Sequence, residues 1–322
     1  RPPISTLFPY TTLFRSISGR LNEFVDPTLT IWPWPIPLYL FVGGMAAGIL
    51  FFCGLSYLQG KSTTLEAAVF KAPILVPILL IIGLTALFYD LSHKLYFWRL
   101  YTSFRIEAPM SWGSWVLMVV TPLSFAWVAI TNRQYLTVVY DKFQWLLKIE
   151  DFLIKNKKAL AWMMILFGLL LGIYTGILLS AFNARPLWNT SILAILFLVS
   201  GLSTGAAAIT LFSKSADERH YFSKIDLGLI GAELFLIIHL FMGLLAGVQV
   251  QIDAAQLFLG GPYTISFWLF VVVLGLAVPA ILNVLELKGK KIPYYIAPIL
   301  VIIGGLLLRF IIVHAGQVST WM

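Results

Sequence analysis

Eight long apolar runs constrain the fold of this 322-residue chain more than any other feature of its sequence. A helix needs about 20 consecutive apolar residues to cross a bilayer, whereas the strands of a membrane barrel alternate in polarity. The runs here are continuous, and only 11% of the residues are charged. They are Ile36–Leu58, Pro73–Ser92, Ser111–Asn132, Leu160–Ala181, Thr190–Phe212, Asp226–Val248, Ile265–Leu285 and Pro293–His314. The sequence therefore predicts an all-α, polytopic membrane protein with eight transmembrane helices.

Positive charge is unevenly distributed among the connections between these helices. Fourteen Lys and Arg residues lie in the connections between helices one and two, three and four, five and six, and seven and eight, against seven in the other connections and the termini. Positively charged loops remain on the cytoplasmic side of a membrane. We therefore predict that both termini lie outside, and that the net charge of +8 reflects cytoplasmic loops rather than nucleic-acid binding.

Similar segments recur half the sequence apart. Gly44 and Gly48 in helix one share their spacing with Gly201 and Gly205 in helix five, and small residues four apart allow close helix approach. The sequences of helices three and seven also begin alike, and those of helices four and eight share a similar internal segment. A repeat of four helices returns the chain to the side of the membrane where the repeat began, so a second repeat would have the same orientation as the first. These matches therefore predict two parallel-repeat four-helix bundles. The alternative is coincidence among apolar sequences.

The predicted divisions are an extracytoplasmic N-terminal segment at residues 1–30, a first bundle at 31–185 and a second at 186–322. Residues 1–16 resemble a translated sequencing adaptor more than a biological segment, so they are set aside.

Ionisable and phenolic side chains within the apolar runs lie mostly at one depth. Such groups are costly in a membrane and usually line a cavity or contact a partner. Apart from the mid-depth Glu233, they lie in the outer half: Tyr39, Asp90, Tyr174, His239, Arg309 and His314. Together they predict a polar pocket near the outer surface, beside the polar, aromatic stretch from Phe88 to Trp115. For each residue alone the alternative is a structural contact, such as an ion pair between Glu233 and Arg309.

The sequence predicts no haem or iron–sulfur cluster in this protein. Cys53 is the single cysteine, so an internal disulfide or a cysteine-ligated cluster is excluded. His239 and His314 differ in depth by more than one helical turn at about 1.5 Å per residue, which does not suit bis-histidine ligation.

Several motifs together resemble the NrfD/PsrC family. They are LYLFVGGMAAG (38–48), YDLSHKLYFWRLYTSF (89–104), APMSWGSW (108–115), YTGILLS (174–180), RPLWNTSILAILFLVSGLSTGAA (185–207), HLFMGLLAG (239–247) and GGLLLRFIIVHAGQ (304–317). The resemblance implies a quinone-binding subunit of a respiratory complex in the bacterial inner membrane, with periplasmic termini. Such a subunit binds menaquinone or ubiquinone. It exchanges electrons with a periplasmic, ferredoxin-like iron–sulfur subunit, which serves a molybdopterin or multihaem catalytic subunit.

The resemblance also implies the residues of a quinone site. Oxidation of a hydroquinone releases two electrons and two protons, so the ring needs hydrogen-bond partners and a base. We assign these catalytic roles to Asp90, His93 and Tyr174. The implied quinone-binding residues are Trp34, Tyr39, Gly44, Tyr89 and Trp112. Many relatives have a histidine before helix one, where this protein has Trp32-Pro33-Trp34, and His93 or Tyr39 would replace it.

Two functional alternatives remain beside the quinone hypothesis. A set of buried ionisable residues predicts a proton path: Glu66, Asp226, Glu233, His239 and Arg309. Parallel repeats and buried charges would also suit a proton- or ion-coupled secondary transporter, although transporter sites typically use broken helices near the midplane. Here the candidate breaks at Pro122 and Pro279 are not flanked by polar binding residues. A purely structural anchor is the other alternative.

Overall fold

The computed structural model describes residues 32–91, 93–102, 105, 107–133, 145–290 and 292–319, and every regular element within them is helical. In this described part of the sequence, eight helices are long and apolar enough to cross a membrane. They are α1 (Pro35–Leu58), α2 (Ala67–Asp90), α3 (Pro109–Thr131), α4 (Lys157–Ser180), α5 (Ile192–Phe212), α6 (Ala216–Leu245), α7 (Ser266–Leu287) and α8 (Ile296–Val318). The predicted all-α fold with eight transmembrane helices is confirmed, whereas the arrangement as two parallel-repeat bundles stays a prediction. The predicted N-terminal segment lies outside the described residues.

Two helices begin well before the apolar runs that predicted them. Helix α2 begins at Ala67 because the buried Glu218 carboxylate accepts hydrogen bonds from the backbone N–H groups of Ala67 (3.2 Å) and Ala68 (3.0 Å). Helix α6 begins at Ala216, ahead of Asp226, and has two acidic residues in its first turn. Acidic groups there interact favourably with the helix dipole. Hydropathy locates the part of a helix that crosses the membrane, not the polar turns that extend it.

Helices α1 and α5 cross at the centre of the protein through their glycines. A Cβ atom on Gly205 would lie 2.6 Å from Cα of Gly48, and one on Gly201 would lie 2.8 Å from the carbonyl oxygen of Gly44. Such distances leave no space for side chains, so the backbones are in contact. Helix α1 also packs against α2, α4 and α8, and α5 packs against α4, α6 and α8.

The same helix pairings occur in both halves of the protein. Helix α4 packs against α1 and α3, and α8 packs against α5 and α7. This pattern is what two parallel repeats would produce. The division into bundles at residues 31–185 and 186–322 stays a proposal.

Short helices lie in the connections. Lys94–Tyr96 and Arg99–Thr102 lie between α2 and α3, Trp145–Lys155 precedes α4, and Gln249–Gln256 precedes α7. The end of the bundle where α1, α3, α5 and α7 begin is called the Trp32 end. The opposite end, where α2, α4, α6 and α8 begin, is called the Lys71 end.

Trp32 joins the start of α1 to the end of α8. Its backbone N–H donates to Oε1 of Gln317 (2.9 Å), whose Nε2 donates back to the Trp32 carbonyl oxygen (3.0 Å). The Trp32 ring stacks on Trp188 at 5.2 Å between centroids, and the Trp188 indole N–H donates to the carbonyl of Ile312. Only 6% of Trp32 is exposed, so this residue packs between helices rather than facing outward.

Candidate functional site

A cavity of about 110 Å³ lies at the Trp32 end, among α1, α2, α3 and α4. The α2–α3 connection closes one side of it. Its walls are largely apolar, and its polar groups are three phenols, one carboxyl and one serine hydroxyl. The lining residues are Trp32, Ile36, Tyr39, Leu87, Asp90, Leu91, Tyr101, Met110, Ser114, Leu117, Tyr174 and Leu178. Three residues of the predicted site, Tyr39, Asp90 and Tyr174, therefore meet at one cavity.

Two glycines of neighbouring helices position the phenols of Tyr39 and Tyr174. The tip of the Tyr174 ring occupies the space that a Cβ atom on Gly113 of α3 would take. On the other side, a Cβ atom on Gly83 of α2 would lie 3.4 Å from Cδ2 of Tyr39. The two phenols interact with each other at the cavity wall. They form a rigid polar wall, since both residues are more than 90% buried.

Asp90 and Tyr101 supply the remaining titratable groups of the cavity. Asp90 is the last residue of α2, and its carboxylate forms no hydrogen bond with the residues that the structure describes. Burial raises the pKa of the Tyr101 phenol, so this group stays protonated at neutral pH and can donate a hydrogen bond. Sequence reasoning did not assign Tyr101 to the site, because nothing in a loop rich in aromatics shows which ring folds inward.

An open apolar groove of about 330 Å³ adjoins the cavity. Leu87, Leu91 and Tyr101 line both spaces. The groove continues along the outward surface of α2, where Ile81 and Phe88 are 53% and 41% exposed. The polar cavity therefore opens onto a surface suited to a hydrocarbon tail.

The other predicted site residues do not line the cavity. His93, Trp34, Tyr89 and Trp112 are exposed at the Trp32 end. Gly44 lies at the crossing of α1 and α5, where a Cβ atom would be 3.2 Å from a guanidinium nitrogen of Arg309. The roles assigned to these five residues stay predictions.

A second polar cluster lies deeper, between α5, α6, α7 and α8. The Asp226 carboxylate accepts hydrogen bonds from the Ser203 hydroxyl (2.6 Å) and from Nδ2 of Asn283 (3.0 Å). About two turns further along α6, the Glu233 carboxylate lies near Ser200 and Arg309. This polar ladder is defined as Asp226, Ser203, Asn283, Glu233, Ser200 and Arg309. All six residues are at least 95% buried.

Arg309 is held by helix α5 and not by a direct ion pair with Glu233. Its guanidinium donates to the Ser200 hydroxyl (2.5 Å) and to the backbone carbonyls of Gly305 (3.0 Å) and Phe197 (3.1 Å). Among the described residues, ion pairs join Lys71 to Glu66 and Arg133 to Glu150, and none joins Glu233 to Arg309. The predicted contact between Glu233 and Arg309 is therefore not a direct ion pair among the described residues, although the two charges interact.

Two members of the predicted proton path lie away from the ladder. Glu66 is exposed at the Lys71 end, with its carboxylate 3.4 Å from Nζ of Lys71. His239 is exposed on α6, where Nδ1 lies 3.1 Å from the carbonyl oxygen of Phe235. The structure brings Asp226, Glu233 and Arg309 together with three residues that the sequence did not indicate: Ser200, Ser203 and Asn283.

The eight apolar helices of the described residues define a multi-pass integral membrane protein. In the part of the sequence that is described, His, Cys, Asp and Glu form no group of three or more that could hold a metal ion. A sequence profile of the family described as "Polysulphide reductase, NrfD" matches residues 23–320. The protein belongs to this family, and the resemblance found in its motifs is confirmed.

Curated relatives match over nearly their whole length. Protein NrfD of Escherichia coli K12 is 32% identical over 310 residues, which cover 90% of this protein and 96% of the relative. The C subunit of polysulfide reductase from Wolinella succinogenes is 31% identical over 313 residues, with 93% and 97% covered. The NrfD homolog of Haemophilus influenzae is 28% identical over 315 residues, with 92% and 97% covered.

Proposed function

We propose that this protein is the membrane anchor and the quinol/quinone-binding subunit of a respiratory oxidoreductase in the bacterial inner membrane. One observation carries the proposal: a cavity lined by three phenols and a carboxyl group continues into an apolar groove on the lipid-exposed surface. The relative from Wolinella succinogenes, named as one component of polysulfide reductase, supports membership of a multi-subunit complex. Both termini would lie in the periplasm, and the Trp32 end would be the periplasmic end.

The two spaces match the two parts of a quinone molecule. A cavity of about 150 Å³ binds benzene in an engineered protein, and the cavity here is about 110 Å³. The cavity in this protein can accommodate the oxygen-bearing edge of one quinone ring after small side-chain movements. The remainder of the head and the isoprenoid tail would occupy the groove of about 330 Å³. The groove also gives direct access from the hydrocarbon core of the membrane.

The chemistry of the cavity suits two-electron oxidation of a hydroquinone or its reverse. Oxidation breaks both O–H bonds, releases two protons and gives two electrons to the partner subunit. The phenols of Tyr174, Tyr39 and Tyr101 can form hydrogen bonds with the oxygens of the quinone ring. The Asp90 carboxylate can accept a proton from the hydroquinone. Asp90 suits this role because it lies at the rim, where protons can leave to water.

An exposed aromatic surface beside the cavity supports docking of a periplasmic, ferredoxin-like iron–sulfur subunit there. In the α2–α3 connection Leu95, Tyr96, Phe97 and Trp98 are 47% to 87% exposed. Aromatic residues and Arg are enriched at protein interfaces, and the Arg99 guanidinium lies over the rings of Tyr96 and Trp98. The docked subunit would pass electrons to a molybdopterin or multihaem catalytic subunit.

Replacing the proton acceptor or the buried phenol tests the proposed site. Asp90→Asn and Tyr174→Phe are each expected to lower quinol-linked turnover by about 100-fold, the usual range for loss of an acid–base group. The assembled complex in membrane vesicles is assayed with menaquinol and ubiquinol analogues, and its assembly is measured by co-purification of the partner subunits.

Matched controls lie at the opposite end of the bundle. Asp217→Asn and Tyr295→Phe make the same chemical changes at exposed positions of the Lys71 end, and wild-type turnover is expected. Normal turnover in Asp90→Asn and Tyr174→Phe would contradict the assignment. A wild-type complex that binds no quinone analogue would support a structural anchor, and substrate flux without redox partners would support a transporter.

The polar ladder favours proton conduction as a second candidate function. Its buried groups form two hydrogen-bonded clusters in the second half of the protein, Asp226 with Ser203 and Asn283, and Arg309 with Ser200. Glu233 lies near the second cluster. The Nε atom of Arg309 is buried without a partner among the described residues. At the end of the ladder nearer the cavity, Gly44 contacts Arg309 and lies only about 7.5 Å along α1 from Tyr39, at 1.5 Å per residue.

A substitution in the ladder separates conduction from a structural role. Asp226→Asn keeps the shape of the side chain and an acceptor for the Ser203 hydroxyl, but removes a proton-binding group. We expect quinol-linked turnover to persist while proton movement coupled to it falls to background. Acidification of proteoliposomes that contain the complex is the measurement, with Asp217→Asn as the control. If the acidification coupled to turnover is unchanged in Asp226→Asn, the polar ladder does not conduct protons and its role is structural.

A further inference from the structure

A wide cleft opens at the Lys71 end, far from the proposed quinone site. Its volume is about 710 Å³, and it lies between the start of α2, the α5–α6 connection and the segment that leads into α8. Three cationic side chains and a tyrosine line it together with apolar residues. The lining residues are Lys71, Ile74, Leu75, Ile78, Leu211, Phe212, Ser213, Lys214, Arg219 and Tyr294.

Polarity changes with depth along the cleft. On α2, Lys71 is followed on the same face by Ile74 and Ile78, and at 1.5 Å per residue Ile78 lies about 10 Å deeper than Lys71. Ile74 and Ile78 are 37% and 49% exposed. The cationic groups thus lie at the mouth, where lipid headgroups lie, and the apolar groups lie beside the hydrocarbon core.

The described lining of the cleft contains three cationic side chains and no acidic one, although Glu66, Asp217 and Glu218 lie near its mouth. The Lys71 ammonium lies 3.4 Å from the exposed Glu66 carboxylate. Glu218 is buried, and its oxygens are occupied by the backbone of α2 and by the Ser213 hydroxyl (2.7 Å). Lys214 forms no ion pair with the described residues. The side chains that line the cleft therefore present positive charge to its interior, and a phosphate group is complementary to that charge.

Arg219 is fixed in position at the mouth of the cleft. Its guanidinium donates to the carbonyl oxygens of Ser213 (3.3 Å) and Lys214 (3.1 Å), and lies 4.7 Å from the centroid of the Tyr294 ring. Its position is therefore set without a ligand. A phosphate group would find one fixed guanidinium and two flexible ammonium groups.

We propose that this cleft binds an anionic phospholipid. The phosphate group interacts with Lys71, Lys214 and Arg219, and an acyl tail lies along Ile74 and Ile78. Basic pockets between transmembrane helices bind anionic lipid headgroups in this way. Because α2 belongs to the first half of the protein and α5, α6 and α8 to the second, the bound lipid braces the contact between the halves.

The double variant Lys71→Gln/Lys214→Gln tests the proposal and leaves the backbone contacts of Arg219 in place. At about 1 kcal/mol for each cation near an anionic lipid, affinity for phosphatidylglycerol is expected to fall roughly 30-fold. The full-length protein is purified in a neutral detergent and titrated with phosphatidylglycerol, and bound lipid is counted by native mass spectrometry. The thermal midpoint without lipid shows whether the variant is folded.

Three controls isolate the source of the effect. Lys155→Gln/Lys158→Gln removes the same charge from exposed positions at the same end but outside the cleft, and wild-type affinity is expected. Phosphatidylcholine with the same acyl tails is expected to bind weakly to all variants. Inorganic phosphate, which has no acyl tail, is expected not to displace the lipid. Equal binding of phosphatidylglycerol to wild type and to Lys71→Gln/Lys214→Gln, or displacement by phosphate alone, would overturn the proposal.

Discussion

Gly113→Leu is expected to abolish quinol-linked turnover in a complex that still assembles. The tip of the Tyr174 ring occupies the space beside Gly113, so a side chain there must push the phenol out of its position or fill the cavity itself. Either result removes the polar wall that Tyr174 forms with Tyr39. Overpacking of this kind costs about 1–3 kcal/mol, which a protein with eight packed helices is expected to tolerate. Turnover and quinone-analogue binding are measured together, and both should be lost.

A double-mutant cycle with Tyr174→Ala distinguishes steric displacement from general damage. In the Tyr174→Ala background the space beside Gly113 is empty, so Gly113→Leu should cost almost no stability. The interaction free energy between the two sites should then equal the overpacking cost of about 1–3 kcal/mol. Gly243→Leu is the matched control, since a Cβ there has only Ile192 Cδ1 near it, at 4.0 Å. Independent effects at Gly113 and Tyr174, or full turnover in Gly113→Leu, would contradict the geometry of the site.

The sequence predicted the helices well because their cause is local. A continuous apolar run must be helical in a membrane, since every backbone polar group has to be satisfied within the segment. The helix ends were less predictable, because distant groups determine them. Helix α2 begins early because Glu218, 150 residues away from Ala68, binds its first N–H groups. No local pattern contains that information.

The depth of the site was predictable, but the direction of its side chains was not. Tyr39, Asp90 and Tyr174 were grouped because each lies near the same end of its helix. His93 and Tyr89 lie at that depth too, yet both are exposed. Which side of a helix end contacts the cavity depends on helix rotation, and an all-round apolar helix has too little polarity difference between its faces to reveal it.

The polar ladder shows a second limit of sequence reasoning. Ser200 and Ser203 were not selected, because serine is common in membrane helices, where small and hydroxyl residues mediate packing. Asn283 was a stronger signal, since a buried amide in an apolar helix needs hydrogen-bond partners. Its partner is Asp226, at 3.0 Å on α6. Pairing of this kind depends on which helices are neighbours, and the sequence alone does not give that order.

Gly48→Leu is expected to cause a large loss of stability. A Cβ at this position would lie 3.0 Å from Cα of Gly205 and would overlap the carbonyl oxygen of Gly201. Because these atoms are backbone, no side-chain rotation can make space, and α1 and α5 must separate. We expect a cost of about 3 kcal/mol or more, at the upper end of overpacking effects. The measurement is the free energy of unfolding during titration of detergent micelles with a denaturing detergent.

The matched control for Gly48→Leu is Gly231→Leu in α6. No heavy atom lies within 4 Å of a Cβ at Gly231, and the position is exposed. The same change of residue there should alter the unfolding free energy by no more than about 0.5 kcal/mol in either direction. Since α1 carries Tyr39 and also contacts Arg309 through Gly44, separation of α1 from α5 should disturb both the cavity and the polar ladder. Equal stability of the two variants would show that α1 and α5 do not meet through their glycines.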